Sequence, residues 1–144
     1  MITQIPINII TIQDDGCHLM IEILVNNKKA SMLIDTGASK TAFDIKKIKK
    51  FIPDIKKNDF ELIDKTSTGI GTNSLESYMI VLKKIKIANF ILKNYKAVVI
   101  DMQHINESYS KLKLPLIDGI LGGDLLIQQN AVIDYKNKIL KIKY

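Results

Sequence analysis

The run Met32-Leu33-Ile34-Asp35-Thr36-Gly37-Ala38-Ser39 joins three apolar residues directly to a carboxylate, a hydroxyl and a glycine. Such a stretch needs a buried sheet to fix its backbone, whereas Asp, Thr and Gly suit a sharp turn that leaves the sheet. The chain must therefore build a strand whose end opens on a cleft, with the carboxylate at its edge and its oxygens free to face outward. Gly37 lets the turn form without a Cβ clash. Taken alone, Asp-Thr-Gly is also what an ordinary Asx turn would use, so the rest of the chain has to discriminate.

The surrounding sequence reads as strands. Ile5 to Ile12 and Leu19 to Val25 are rich in β-branched residues, and 13–16 carry hairpin-turn chemistry. Asn26-Asn27-Lys28 is a second polar turn, which leads into a strand from Ala30 to Asp35 and completes a meander. A short amphipathic helix is expected around Asp44 to Lys50, with Lys46, Lys47, Lys49 and Lys50 on its wet side and Pro53 closing it. Phe60 to Asp64 and Ser77 to Leu82 flank the small, polar tract 66–74, which suits a hairpin tip. Ile85 to Leu92 and Tyr95 to Ile100 follow as strands, then a polar loop from Met102 to Lys113. An apolar strand ends at Gly122-Gly123, Asp124 caps a helix from Leu125 to Gln129, and a hairpin of Ala131 to Asp134 with Ile139 to Ile142 closes the chain. There is no internal repeat. The expected fold is all-β with one or two short helices, a small closed β-barrel forming a single domain over 1–144.

With 144 residues and 47% hydrophobic content, the chain can bury its own core. It shows no signal peptide and no apolar run of membrane-spanning length, so a soluble, cytoplasmic protein without a membrane partner is expected. A single cysteine, Cys17, excludes an internal disulfide; with only His18 and His104 beside it, no metal site and no cofactor are implied. Cys17 and His18 are strand neighbours facing opposite sides, which argues against a dyad. The net charge of +6 comes from lysine without arginine, and the lack of guanidinium forks argues against nucleic-acid recognition. Asp118 reads as a turn residue, and Tyr78, Tyr95 and Tyr135 as barrel surface or core.

Three separated elements, Asp35-Thr36-Gly37-Ala38-Ser39, Gly69-Ile70-Gly71 and Ile120-Leu121-Gly122, stand in an order and at distances that resemble the retropepsin-like aspartic proteases. The resemblance implies that Asp35 is the catalytic carboxylate, that the Thr36 hydroxyl locks two active-site loops across a dimer axis, and that Gly37 lies beside bound substrate. It makes Gly69, Ile70 and Gly71 a flap over the peptide and Ile120, Leu121 and Gly122 the segment supporting the Asp35 loop. Retroviral members often carry an acidic residue where this chain has Ser39 and a basic one where it has Gly123. Losing both partners of an ion pair together points toward the cellular or bacterial type.

Peptide hydrolysis by this route needs two facing carboxylates that share a proton. One Asp-Thr-Gly is half of that, which implies a homodimer with Asp35 from each copy on a twofold axis. Two like charges in contact cannot both ionise cheaply, so the pair should titrate as a unit and favour acidic pH. The substrate would be an extended polypeptide bound as an added strand, with apolar residues flanking the cut. The alternative is a catalytically silent dimeric peptide-binding or scaffold module of the same fold.

Overall fold

The computed structural model describes residues 1–12, 16–67 and 74–144, with backbone only over 64–67 and 74–75. The elements run β1 (Ile2–Pro6), β2 (Asn8–Thr11), β3 (Cys17–Val25), β4 (Lys28–Ile34), β5 (Ala42–Asp44), a 3-10 helix (Ile45–Lys50), a 3-10 turn (Lys57–Asp59), β6 (Glu61–Ser67), β7 (Ser74–Ile87), β8 (Phe90–Ile100), α1 (Gln103–Lys111), β9 (Gly119–Leu121), α2 (Gly123–Gln128), β10 (Val132–Asp134) and β11 (Ile139–Lys143).

Eight strands form one sheet in the order β2-β3-β4-β9-β5-β8-β7-β6, and β1-β11-β10 form a second. The mainly β expectation holds. Instead of a fully closed barrel, the large sheet keeps β2 and β6 at its ends and curls until β3 also meets β7, at Leu24↔Lys86 and Val25↔Ile85. Curling lets the inward residues of many short strands share one interior: Val25, Met32, Phe43, Leu82, Val99 and Leu140 are all fully buried. A second, smaller apolar cluster joins Met20, Ala42 and Ile120 to Met102, Tyr109 and Ile117 beneath α1.

The β3-β4 hairpin sets the register that matters most. Asn26 and Asn27 both take positive φ, 47° and 67°, as a two-residue turn twisted like its strands requires, and asparagine tolerates this better than most residues. Val25 then pairs with Lys28, and the ladder continues to Met20↔Leu33. β4 runs parallel to β9 (Met32↔Gly119 to Ile34↔Leu121), and β9 runs antiparallel to β5.

Several local expectations are corrected. Ile5 to Ile12 divides at Ile7 into β1 and β2, which belong to different sheets. Ile85 to Leu92 is no single strand: Ala88-Asn89 is the turn joining β7 to β8, with Ile87 opposite Phe90. The polar loop expected from Met102 to Lys113 contains α1, whose Met102, Ile105 and Tyr109 pack under the sheet at helical spacing. Asp44 caps the helix that follows it, accepting from the Lys46 N–H at 3.2 Å.

Candidate active site

Asp35 stands one residue beyond the end of β4, where its N–H still donates to the Leu121 carbonyl (3.1 Å). The strand thus holds the residue's backbone while its side chain leaves the sheet half-buried. Its Oδ1 accepts from the Gly37 N–H (3.0 Å) and its carbonyl from the Ala38 N–H (3.2 Å), so the turn folds around the carboxylate. A Cβ on Gly37 would sit 3.3 Å from that oxygen. Oδ2 has no partner among the described residues. Thr36, Gly37 and Ser39 are exposed and Ala38 is partly covered.

Ile120, Leu121 and Gly122 lie directly behind this loop. Leu121 receives the Asp35 N–H, and the Gly123 N–H donates to the Ala38 carbonyl at 2.7 Å. Asp124 does not cap α2, whose N-cap is Gly122. Its Oδ1 instead accepts from both the N–H and the hydroxyl of buried Thr41, each at 2.8 Å. The Thr41 hydroxyl in turn accepts from the Gly122 N–H (3.0 Å). These bonds bolt the start of α2 to the strand leaving the Asp35 loop. Gly122 is required by space alone: a Cβ there would lie 2.5 Å from the Lys40 carbonyl carbon. Nearby, burial first and then the Asp124 charge push the Tyr95 hydroxyl up to about 12, with the Thr41 hydrogen bond pulling the other way.

Asp118, expected in a turn, is buried; it accepts from the Ser31 N–H (2.8 Å) and pairs with Lys50 (3.0 Å), fixing the middle of β4. Asn106 of α1 clamps the approach to β9, its Oδ1 accepting from the Ile117 N–H (2.8 Å) and its Nδ2 donating to the Ile117 carbonyl (3.1 Å). The flap assignment, Gly69, Ile70 and Gly71, lies outside the described residues.

Sequence reasoning weighed His18 only as a partner for Cys17 and set it aside. With Cys17, it lines a cavity of about 290 Å³ together with Leu33, Asp35, Thr36, Ile133 and Tyr135. Its Nδ1 is hydrogen-bonded to the hydroxyl of buried Tyr109, the ring centroids lying 5.4 Å apart. Burial chiefly, and the Asp35 charge second, push the Tyr109 hydroxyl above its usual value. The signal was present in the turn: counting outward from Asn26-Asn27 sets 18 opposite 35. A larger cavity, about 700 Å³, lies away from this loop beside Asn26, Phe51, Asp59 and Lys84. Among the described residues, no group of acidic, histidine or cysteine side chains is arranged to hold a metal ion, and no helix is long and apolar enough to cross a membrane.

The fold is similar to that of a retropepsin-like aspartic protease from Rickettsia conorii, with 24% identity, a TM-score of 0.60, and 100% of this chain and 92% of the other covered. It also resembles the retroviral protease-like domain of Ddi1 from Leishmania major, at 17% identity, TM-score 0.58 and 87% of both chains. EIAV protease, solved with the inhibitor HBY-793, aligns at 18% identity and TM-score 0.50, over 83% of this chain and 93% of its own. No curated protein sequence matches the chain. Residues 21–125 match the family described as Aspartyl protease, a span that includes the Asp35 loop, β9 and the start of α2. With the family match and the fold in agreement, the chain belongs to the retropepsin-like aspartic proteases.

Proposed function

We propose that the chain, as one domain over residues 1–144, is an aspartic endopeptidase that hydrolyses peptide bonds in extended polypeptide segments with apolar flanking residues. The observation that carries this reading is the Asp35 loop: a half-buried carboxylate at a sheet's end, one oxygen tied to Gly37 and the other unpartnered among the described residues. No second Asp-Thr-Gly or Asp-Ser-Gly occurs in the sequence, so a second copy supplies the second Asp35 and the enzyme is a homodimer.

In that pair one carboxylate accepts a proton from water as the water attacks the scissile carbonyl; the other, protonated, hydrogen-bonds to the scissile amide and protonates it. Exposed Thr36 is available to hydrogen-bond across the axis. Gly37 leaves room for substrate, and Ala38 and Ser39 complete the loop. Gly69, Ile70 and Gly71 close over the peptide as a flap, and Ile120, Leu121 and Gly122 stiffen the loop from behind.

Cleavage of a diverse peptide library from acidic to mildly alkaline pH, read by mass spectrometry beside Asp35→Asn, tests this. The expected result is acid-favoured cleavage reduced at least about a thousandfold in the variant. Peptide binding by a folded protein that never cleaves would select a silent binding module instead.

A further inference from the structure

His18 of β3 and Asp35, just past β4, line one cavity. The β3-β4 ladder ends at Met20↔Leu33, and its register carried two residues past that pair brings the chain at Asp35 back to the level of His18. Both line the cavity that also holds Leu33 and Thr36. No ion pair or hydrogen bond joins them among the described residues, so the imidazole is not consumed by the carboxylate.

Tyr109 decides what the imidazole offers. Among the described residues Nδ1 is the one acceptor in hydrogen-bond reach of the Tyr109 hydroxyl, so with a neutral ring the hydroxyl donates to Nδ1 and the ring proton resides on Nε2. If the ring is charged, Nδ1–H donates to the tyrosine oxygen and Nε2 still carries its proton. Nε2 is a donor in both states, and it has no partner among the described residues. Nε2 is open to solvent beside apolar Leu33 and Ile133, so a ligand that covers it without offering an acceptor leaves the donor unpaired at a cost.

We infer that His18, its ring held by Tyr109, is a specificity-determining residue of the cleft, donating from Nε2 to a carboxylate side chain of the bound polypeptide near the scissile bond. A site that presents a hydrogen-bonding group discriminates strongly against a ligand that leaves it unpaired, and a carboxylate makes the stronger, charge-assisted bond. The net charge of +6 favours the same class of peptide. One acidic position therefore punctuates an otherwise apolar preference. The inference rests on reading the Asp35 loop as a peptide cleft.

The test uses peptides identical except for Glu, Gln or Leu at each position around the cut, assayed with wild type, His18→Leu, His18→Gln and Tyr109→Phe. Wild type should favour Glu over Leu at one position by about tenfold in kcat/KM, chiefly through KM. His18→Leu should abolish that preference, bringing KM for the Glu peptide to that for the Leu peptide, with Tyr109→Phe intermediate. Fluorescence anisotropy with Asp35→Asn and Asp35→Asn/His18→Leu reads the same preference as affinity. Loss of the Glu preference there, with wild type never cleaving, would uphold His18 and sink the protease reading. An equal response to Glu and Leu, a preference surviving His18→Leu, or no peptide binding at all overturns the inference. So does unchanged specificity with a weakened dimer in sedimentation, which would set His18 against the second copy.

Discussion

A carboxylate becomes useful when its surroundings fix it without consuming it. Asp35 accepts one bond, on Oδ1, from the N–H of its own turn at Gly37, whereas Asp124, a few residues past β9, accepts two on its Oδ1 from distant Thr41. Two acids that look alike in sequence thus take different parts, one able to face water and one holding a turn together. Burial, and the Asp124 charge second, act on Tyr95, whose hydroxyl holds its proton to about 12 against 10.0 for an ordinary tyrosine. Between those values the folded chain binds the proton and the unfolded chain has released it, so stability should fall as pH rises across that window. Urea titrations from neutral pH into that range should show a loss in wild type that is smaller in Tyr95→Phe. Equal slopes would mean Tyr95 titrates alike in both states.

At the level of elements, the site depends on a parallel pair with little room between its loops. β4 and β9 run side by side, and Gly122 passes so close to Lys40 that no side chain fits. Gly122→Ala should cost about 2–3 kcal/mol, because the backbone of the Asp35 loop has to move to admit the methyl group. Chemical denaturation measures it; a change below about 0.5 kcal/mol would show that the loop yields freely. The Asn26-Asn27 turn and the alternating apolar residues made the β3-β4 meander readable from sequence, and with it the place of Asp35. Helix α1 was obscured because polar residues dominate its composition, although Met102, Ile105 and Tyr109 keep helical spacing. β5 escaped notice because three residues, Ala42 to Asp44, carry too little periodicity, and only their neighbours β8 and β9 make them a strand.

As a whole molecule, the chain presents half of the proposed dyad. If Asp35 meets its counterpart across a twofold axis, mixing wild type with an equal amount of Asp35→Asn should cut the activity of a fixed quantity of wild type to about half. Random pairing then leaves about a quarter of the dimers with both carboxylates. Activity unaffected by the variant after subunit exchange would mean that each chain works alone. Dilution gives a second check, since specific activity should fall as dimers dissociate.

The mainly β character, the strand leading to Asp35 and the family resemblance were legible in the residues alone, because those rest on local alternation, turn chemistry and short motifs. Long-range packing is what ties Asp118 and Asp124 into the frame, sets α1 over the smaller apolar cluster and brings His18 into a cavity with Asp35. Such facts depend on which distant segments meet. A hydrogen bond between Thr41 and Asp124, or a ring pinned by Tyr109 across 91 positions, has no signature in either segment alone.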